Sequence, residues 1–252
     1  MRYLERSRIM RNVGLIFIRE FQAYFSTPLA YIFIVIFLML AGLLTFFMGG
    51  YLERDQADLV PFFEFHPWLY LFLVPALSMR LWAEERKAST LEILLTLPVP
   101  VWQLVLAKFL AAWSFTAIAL LLSFPLWISV SYLGDPDHGV IIASYLGSLL
   151  MAGGYLAIGS CMSALTKNQI IAFITSVGVC FIFTVSGFPL VMSFFQSWLP
   201  QILLNTISGF SFLTHFEEIT KGVINLGDAV YFISVIALWL FINTLVLQVK
   251  KD

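Results

Sequence analysis

RLWAEERKASTLEILLTLPVP, residues 80–100, gathers six of the chain's twenty-nine charged residues into one short run that ends in two prolines. The rest of the protein is unlike it. Of 252 residues, 60% are hydrophobic and only 12% charged, with a mean hydropathy of +0.92. Soluble domains carry about 25% charged residues. A deficit this large points to a bilayer as the chain's solvent. The net charge of −1 gives no basis for a nucleic-acid partner.

A spanning helix needs about 20 mostly apolar residues, so the sparse charges act as fence posts. They predict six spans at about 28–50, 66–83, 109–133, 139–165, 169–192 and 229–248. The uncharged stretch between Lys167 and Glu217 is too long for one helix and contains Gly187, Pro189, Pro200 and Gly209. Beyond the fifth span it reads as an apolar outer hairpin that packs on the bundle, because irregular backbone at membrane depth must be covered by protein. The first apolar run is of full spanning length and no A-x-A site follows it, so it reads as a retained span rather than a cleaved leader.

Orientation follows from the basic residues. With both termini cytoplasmic, twelve of the fourteen fall inside, leaving Arg54 and Lys221 outside. Ahead of the first span, apolar residues at 13, 16, 17, 21, 24 and 25 form a helical stripe, with Arg11, Arg19 and Gln22 off it. This predicts an interfacial helix over about 9–26. Ser26 or Thr27 followed by Pro28 reads as the cap and first-turn proline of a new helix.

The charged run then lies in the largest cytoplasmic loop after the interfacial helix. Ser89 and Glu92 have capping-box spacing, which predicts a short helix over about 90–97, halted by Pro98. Leu91, Leu94 and Leu95 share one face of it, while Ile93 and Leu97 lie elsewhere. A surface loop tucking its leucines into lipid or its own bundle is the plainer reading. A docking knob for a cytoplasmic partner is the sharper one.

MRLWAEERKASTLEILLTLPVPVWQLVLAKFL, residues 79–110, resembles the loop between the second and third spans of ABC-2 type transporter permeases. It looks closest to the bacterial gliding-motility type. The likeness rests on Glu84, Glu85, Arg86, Thr90, Leu91, Glu92, Ile93, Leu94, Leu95, Thr96, Pro98 and Lys108, with Ala107-Lys108 where Gly-Lys is common. It implies an all-α membrane protein: six transmembrane helices, an N-terminal interfacial helix, a short cytoplasmic coupling helix and the outer hairpin, in one permease domain over 1–252. It also implies two copies of a cytoplasmic ABC ATPase, which bind the ATP and Mg. These would dock on Thr90 to Leu97, with Ser89 among the docking residues and Glu84, Glu85, Arg86 and Lys87 at the polar rim. A second permease subunit, the same or different, and a large extracytoplasmic accessory subunit complete the implied assembly in the bacterial inner membrane.

Absences agree with that picture. No Asp or Glu falls mid-span to carry protons, and Arg80 and Lys108 lie near span ends, where they can snorkel. No P-loop is present, so the chain is not its own ATPase, and no cofactor is expected in it. His66, His138 and His215 lack ligand spacing and read as interfacial histidines; Cys161 and Cys180 read as packing residues. The small residues Ala143, Gly147, Gly153 and Ala157 in the fourth span allow close helix approach, within the chain or at a subunit seam. Pro75 and Pro125 predict kinks, and Trp68, Trp82, Trp102, Trp113 and Trp198 an interfacial belt. An ATPase-independent scaffold or channel, or a haem-type exporter permease, is the alternative function.

Overall fold

The computed structural model describes residues 2–51, 53, 56–96, 98–196, 200–222 and 225–250, without the side chains of the first ten residues and Leu29. Arg54, Leu97, Trp198 and Lys251, each used in the sequence argument, lie outside the described residues, as do the side chains of Arg2, Arg6 and Arg8. Everything regular among the described residues is helical.

The first helix, α1 (Arg2–Phe25), extends further toward the terminus than the stripe predicted. Its apolar face settles on the bundle, with Tyr24 stacked on Phe115 at 5.1 Å. Ser26 and Thr27 break it, and Pro28 opens α2 (Pro28–Leu43), which continues through a π-helical turn, Leu44–Met48. Thr27 is the N-cap, as expected, but its hydroxyl does not cap α2. It donates back to the Tyr24 carbonyl at 3.0 Å, closing α1 instead.

After α3 (Val60–Glu64), the second predicted span divides into α4 (His66–Ser78) and α5 (Arg80–Lys87). The division falls at Met79, four residues beyond Pro75. Next come α6 (Leu91–Thr96), α7 (Val101–Leu121) and α8 (Phe124–Leu133), the last two meeting at a break just before Pro125. They precede α9 (His138–Leu165) and α10 (Gln169–Val185). The outer segment is three short helices rather than a simple hairpin: α11 (Pro189–Phe195), α12 (Gln201–Ser208) and α13 (Phe212–Thr220). The last helix is α14 (Leu226–Val249).

Four helical stretches among the described residues are long and apolar enough to cross a membrane: 30–48, 101–133, 138–165 and 226–249. A fifth exists if α10 and α11, bent by 77°, count as one span. The stretch 66–83 does not join them, because neither α4 nor α5 is long enough alone.

The centre of the molecule is α9. It packs against α4, α5, α7, α10, α13 and α14, and its small residues make that possible. A Cβ on Gly147 would come within 2.7 Å of Ile219, one on Gly153 within 2.8 Å of Ile236, and one on Gly154 within 3.0 Å of Phe212. Ala143 and Ala157 are buried beside them. The small-residue stripe is therefore used inside this chain. Pairings along α9 fix direction: His66 lies by Ser148 and Arg86 by Ala164, so α4–α5 runs parallel to α9. Asn243 by Ser160 and Lys250 by Ala164 align α14 the same way. Residues 80–96, 98–108, 164 and 250 thus share one basic end, and residues 66, 138, 209–222 and 225–228 share the far end.

The tightest approach is at Gly159. A Cβ there would overlap Ser78 Oγ and stand 2.8 Å from Ser78 Cβ, which cannot rotate away. Gly159→Ala is expected to cost about 1–3 kcal/mol through overpacking. Ser78→Gly in the same chain should recover part of that loss, read as coupling between the two sites in thermal unfolding of the single and double variants in detergent.

Candidate functional site

The charged run begins where α5 leaves the bundle. Arg80 holds Glu84 one turn on, Nε to Oε2 at 2.8 Å. Arg86 donates to the Ala164 carbonyl at 3.1 Å, and Lys250 reaches the same oxygen at 2.6 Å. Two cations therefore serve the C-terminal end of α9, where helix carbonyls concentrate negative charge. They bind the ends of α5, α9 and α14 together.

Helix α5 ends in a Schellman motif. Ser89 sits at φ 57°, the Thr90 amide donates to the Glu85 carbonyl at 3.0 Å, and the Ser89 amide to that of Arg86 at 3.4 Å. This displaces the expected capping box. Among the described residues Ser89 makes no bond to Glu92, and the short helix starts at Leu91, with Thr90 as the residue before it. The left-handed position favours glycine, but the Glu85 and Arg86 carbonyls need closing, and they take the turn. Thr90 instead bonds through its hydroxyl to the Glu85 carboxylate.

On α6 the leucine face is as expected, but its destination differs. Leu91, Leu94 and Leu95 are buried in the chain's own core, so they anchor the helix and are not open to a partner. Ile93 is 67% exposed, and Glu84, Lys87, Ser89, Glu92 and Thr96 are also exposed in this stretch. Among the described residues of α6, Ile93 is the apolar side chain left open.

Beneath the loop lies an ion triad. Lys108, 3% exposed, donates from Nζ to Glu20 at 2.8 Å and to Glu85 at 3.1 Å. It also stands 5.4 Å from the centre of the Trp82 ring. Lys108 therefore does not snorkel: it joins α1, α5 and α7. Burial pushes the Glu85 carboxyl up, but the Lys108 charge, the bonds from Thr90 and Lys108, and the Arg19 charge outweigh it and hold it low. A cleft of about 390 Å³ opens beside the triad, lined in part by Arg19, Tyr24, Thr27 and Arg80.

A second polar cluster holds the joint behind the loop. Ser163 Oγ donates to the Met79 carbonyl at 2.8 Å and accepts from the Trp82 and Ala83 amides at 3.1 and 3.0 Å. Ser160 Oγ accepts from Trp82 Nε1 at 3.0 Å and Asn243 Nδ2 at 2.8 Å. Trp82, expected at an interface, is instead buried. Sequence reasoning gave Glu20 and Ser163 no role; a lysine eight residues into an apolar helix was the one signal that a carboxylate partner existed.

The histidines do not converge. His66 is buried by Ser148, His138 accepts from Trp127 Nε1, and His215 meets Asp228. Among the described residues no three His, Cys, Asp or Glu side chains gather where a metal could sit.

These features define a class: a multi-pass helical membrane protein whose charged side chains serve structure at one end of the bundle. The profile of the family described as ABC-2 family transporter protein matches residues 56–247, about three quarters of the chain. The protein belongs to that family, the membrane component of transporters whose ATPase is a separate chain. A comparison with curated proteins finds no match.

Proposed function

We propose that the chain is the permease subunit of an ATP-driven transporter, moved through residues 84–97 by a cytoplasmic ATPase present in two copies that hold the ATP and Mg. In this reading residues 66–83, α4 and the first half of α5, make a sixth span and both termini are cytoplasmic, in a bacterial inner membrane. A second permease subunit, the same or different, completes the pathway. The assembly exports a substrate or, in line with the gliding-motility likeness, works mechanically on a large extracytoplasmic subunit.

The observation that carries this reading is the exposed Ile93 on a helix whose opposite face is anchored in the core. Interface centres favour apolar residues and rims favour charge. A force applied at Ile93 passes through Leu91, Leu94 and Leu95 into the bundle, and through Glu85 and Lys108 into α1. The handle is stiff, which a mechanical coupling requires.

Ile93→Asp tests it. Residue 93 is exposed, so the chain should fold and unfold as the parent does. Co-purification with the ATPase and the permease's stimulation of ATP hydrolysis should both be lost. Retention of both would sink the proposal, as would labelling of Ser89→Cys from outside intact cells.

A further inference from the structure

At the far end of the bundle, His215 of α13 is held from two directions. Its Nδ1 lies 2.6 Å from Asp228 Oδ1 at the start of α14, and its Nε2 lies 3.0 Å from the Gly209 carbonyl, just past α12. The ring stacks on Tyr231 with centroids 3.9 Å apart and planes within 20°. Tyr231 in turn donates its hydroxyl to the Phe210 carbonyl at 2.5 Å. One imidazole thus gathers the end of α12, α13 and α14.

A neutral imidazole offers one donor and one acceptor. A carbonyl oxygen can only accept, so Nε2 must carry a proton. The contact with Asp228 needs a second proton, on Nδ1 or on the carboxyl. Asp228 is buried, and its Oδ2 has no hydrogen-bond partner. An ionised carboxylate so placed depends on a positive partner. The pair as built therefore holds one proton more than a carboxylate beside a neutral histidine. When that proton leaves, the remaining one stays between the ring and Asp228. Nε2 then turns a lone pair toward the Gly209 oxygen, and the link to α12 becomes repulsive.

We infer that His215 and Asp228 form a proton-operated clasp that fixes the α11–α12 segment to α13 and α14, closed when the pair is protonated and released when it is not. Among the described residues of that segment, little is buried. Helix α11 buries no residue, and α12 buries only Leu204.

Few other titratable groups bear on the ring. From α14 they are Asp228 and Tyr231 alone, and α12 presents only the Gly209 carbonyl. On α13, Glu218 pairs with Lys221 at 2.7 Å, and Glu217 answers to Lys221, Glu218 and Glu64 of α3. Packed behind α13, Tyr155 of α9 is bonded to Thr184 of α10. The clasp is thus a two-residue device whose sign is set by one proton.

The test uses the full chain in nanodiscs, spin-labelled through Thr206→Cys on α12 and Val230→Cys on α14, both exposed sites. Between pH 5 and 9 the distance distribution should shift from short and narrow to long and broad. In His215→Phe, which keeps a ring beside Tyr231 but offers neither donor, the long distribution should appear at every pH. A parent distribution that does not change with pH overturns the inference, as does a transition that survives in His215→Phe. Nitrogen NMR of the parent gives an independent reading. At the acidic end His215 Nε2 must carry a proton that it loses on the same titration, and an Nε2 already bare at pH 5 overturns the clasp whatever the variant does.

Discussion

Lys108→Met is expected to destabilise the chain by about 3 kcal/mol, toward the lower end of the range for breaking a buried ion pair on one side. Methionine fills most of the lysine's volume, so packing changes little. What remains is two carboxylates, Glu20 and Glu85, no more than about 6 Å apart, since both lie against one nitrogen in the parent. Each keeps partial access to the cleft, at 15% and 20% side-chain exposure, which holds the cost below its maximum. The pH dependence should reverse sign. In the parent, the Glu85 pKa is depressed on folding. Its contribution is present above the ordinary carboxylate range near 4.3 and is lost as pH falls through the depressed value. In Lys108→Met, the carboxylates repel, so each binds a proton more readily folded than unfolded, and stability should rise as pH falls from 7 toward 5. Melting curves in detergent across that range distinguish the two slopes. A variant that tracks the parent at every pH would show that the triad carries no stability.

The sequence was legible wherever one residue's cost decides a structure. A charge in hydrocarbon is expensive, so the gaps between charges located the long apolar helices without knowledge of their neighbours. The glycine and alanine row of α9 likewise identified itself, because only small residues let a helix be surrounded so closely. Less was legible where partners lie far apart in the chain. The leucines of α6 have the spacing of one face whether lipid, a partner protein or their own bundle covers them, and only the fold shows that it is the bundle. Lys108 read as a snorkelling residue because its two carboxylates lie at positions 20 and 85. Serine and glutamate three apart spelled a capping box at Ser89, but the same serine serves equally well to close the end of α5, and the orphan carbonyls of Glu85 and Arg86 decided the matter. The break at Met79 had a local hint in Pro75, yet the proline's own i−4 loss falls a turn earlier, and the group that opens the helix comes from α9.

That group gives the second large effect. Helices break sharply where a side chain inserts into the hydrogen-bond ladder, and Ser163 does so between α4 and α5. Its hydroxyl fills three roles at once, as donor to the Met79 carbonyl and acceptor for the Trp82 and Ala83 amides. The Trp82 and Ala83 amides are buried against α9, where water cannot replace it, and Met79 is half-buried beside them. Ser163→Ala removes one oxygen and leaves the Trp82 amide without its partner, and an unpaired buried donor costs about 1–3 kcal/mol. With the shared Ala83 amide and the Met79 carbonyl added, a loss of about 3 kcal/mol is expected. Ser193→Ala deletes an exposed hydroxyl bonded only to the Leu190 carbonyl and should stay within about 0.5 kcal/mol of the parent. The two serines differ in what depends on them, so their melting temperatures should separate widely. If α4 and α5 can instead close into one continuous helix, Ser163→Ala will be as harmless as Ser193→Ala, and the break will be shown to follow from Pro75 rather than from the inserted hydroxyl.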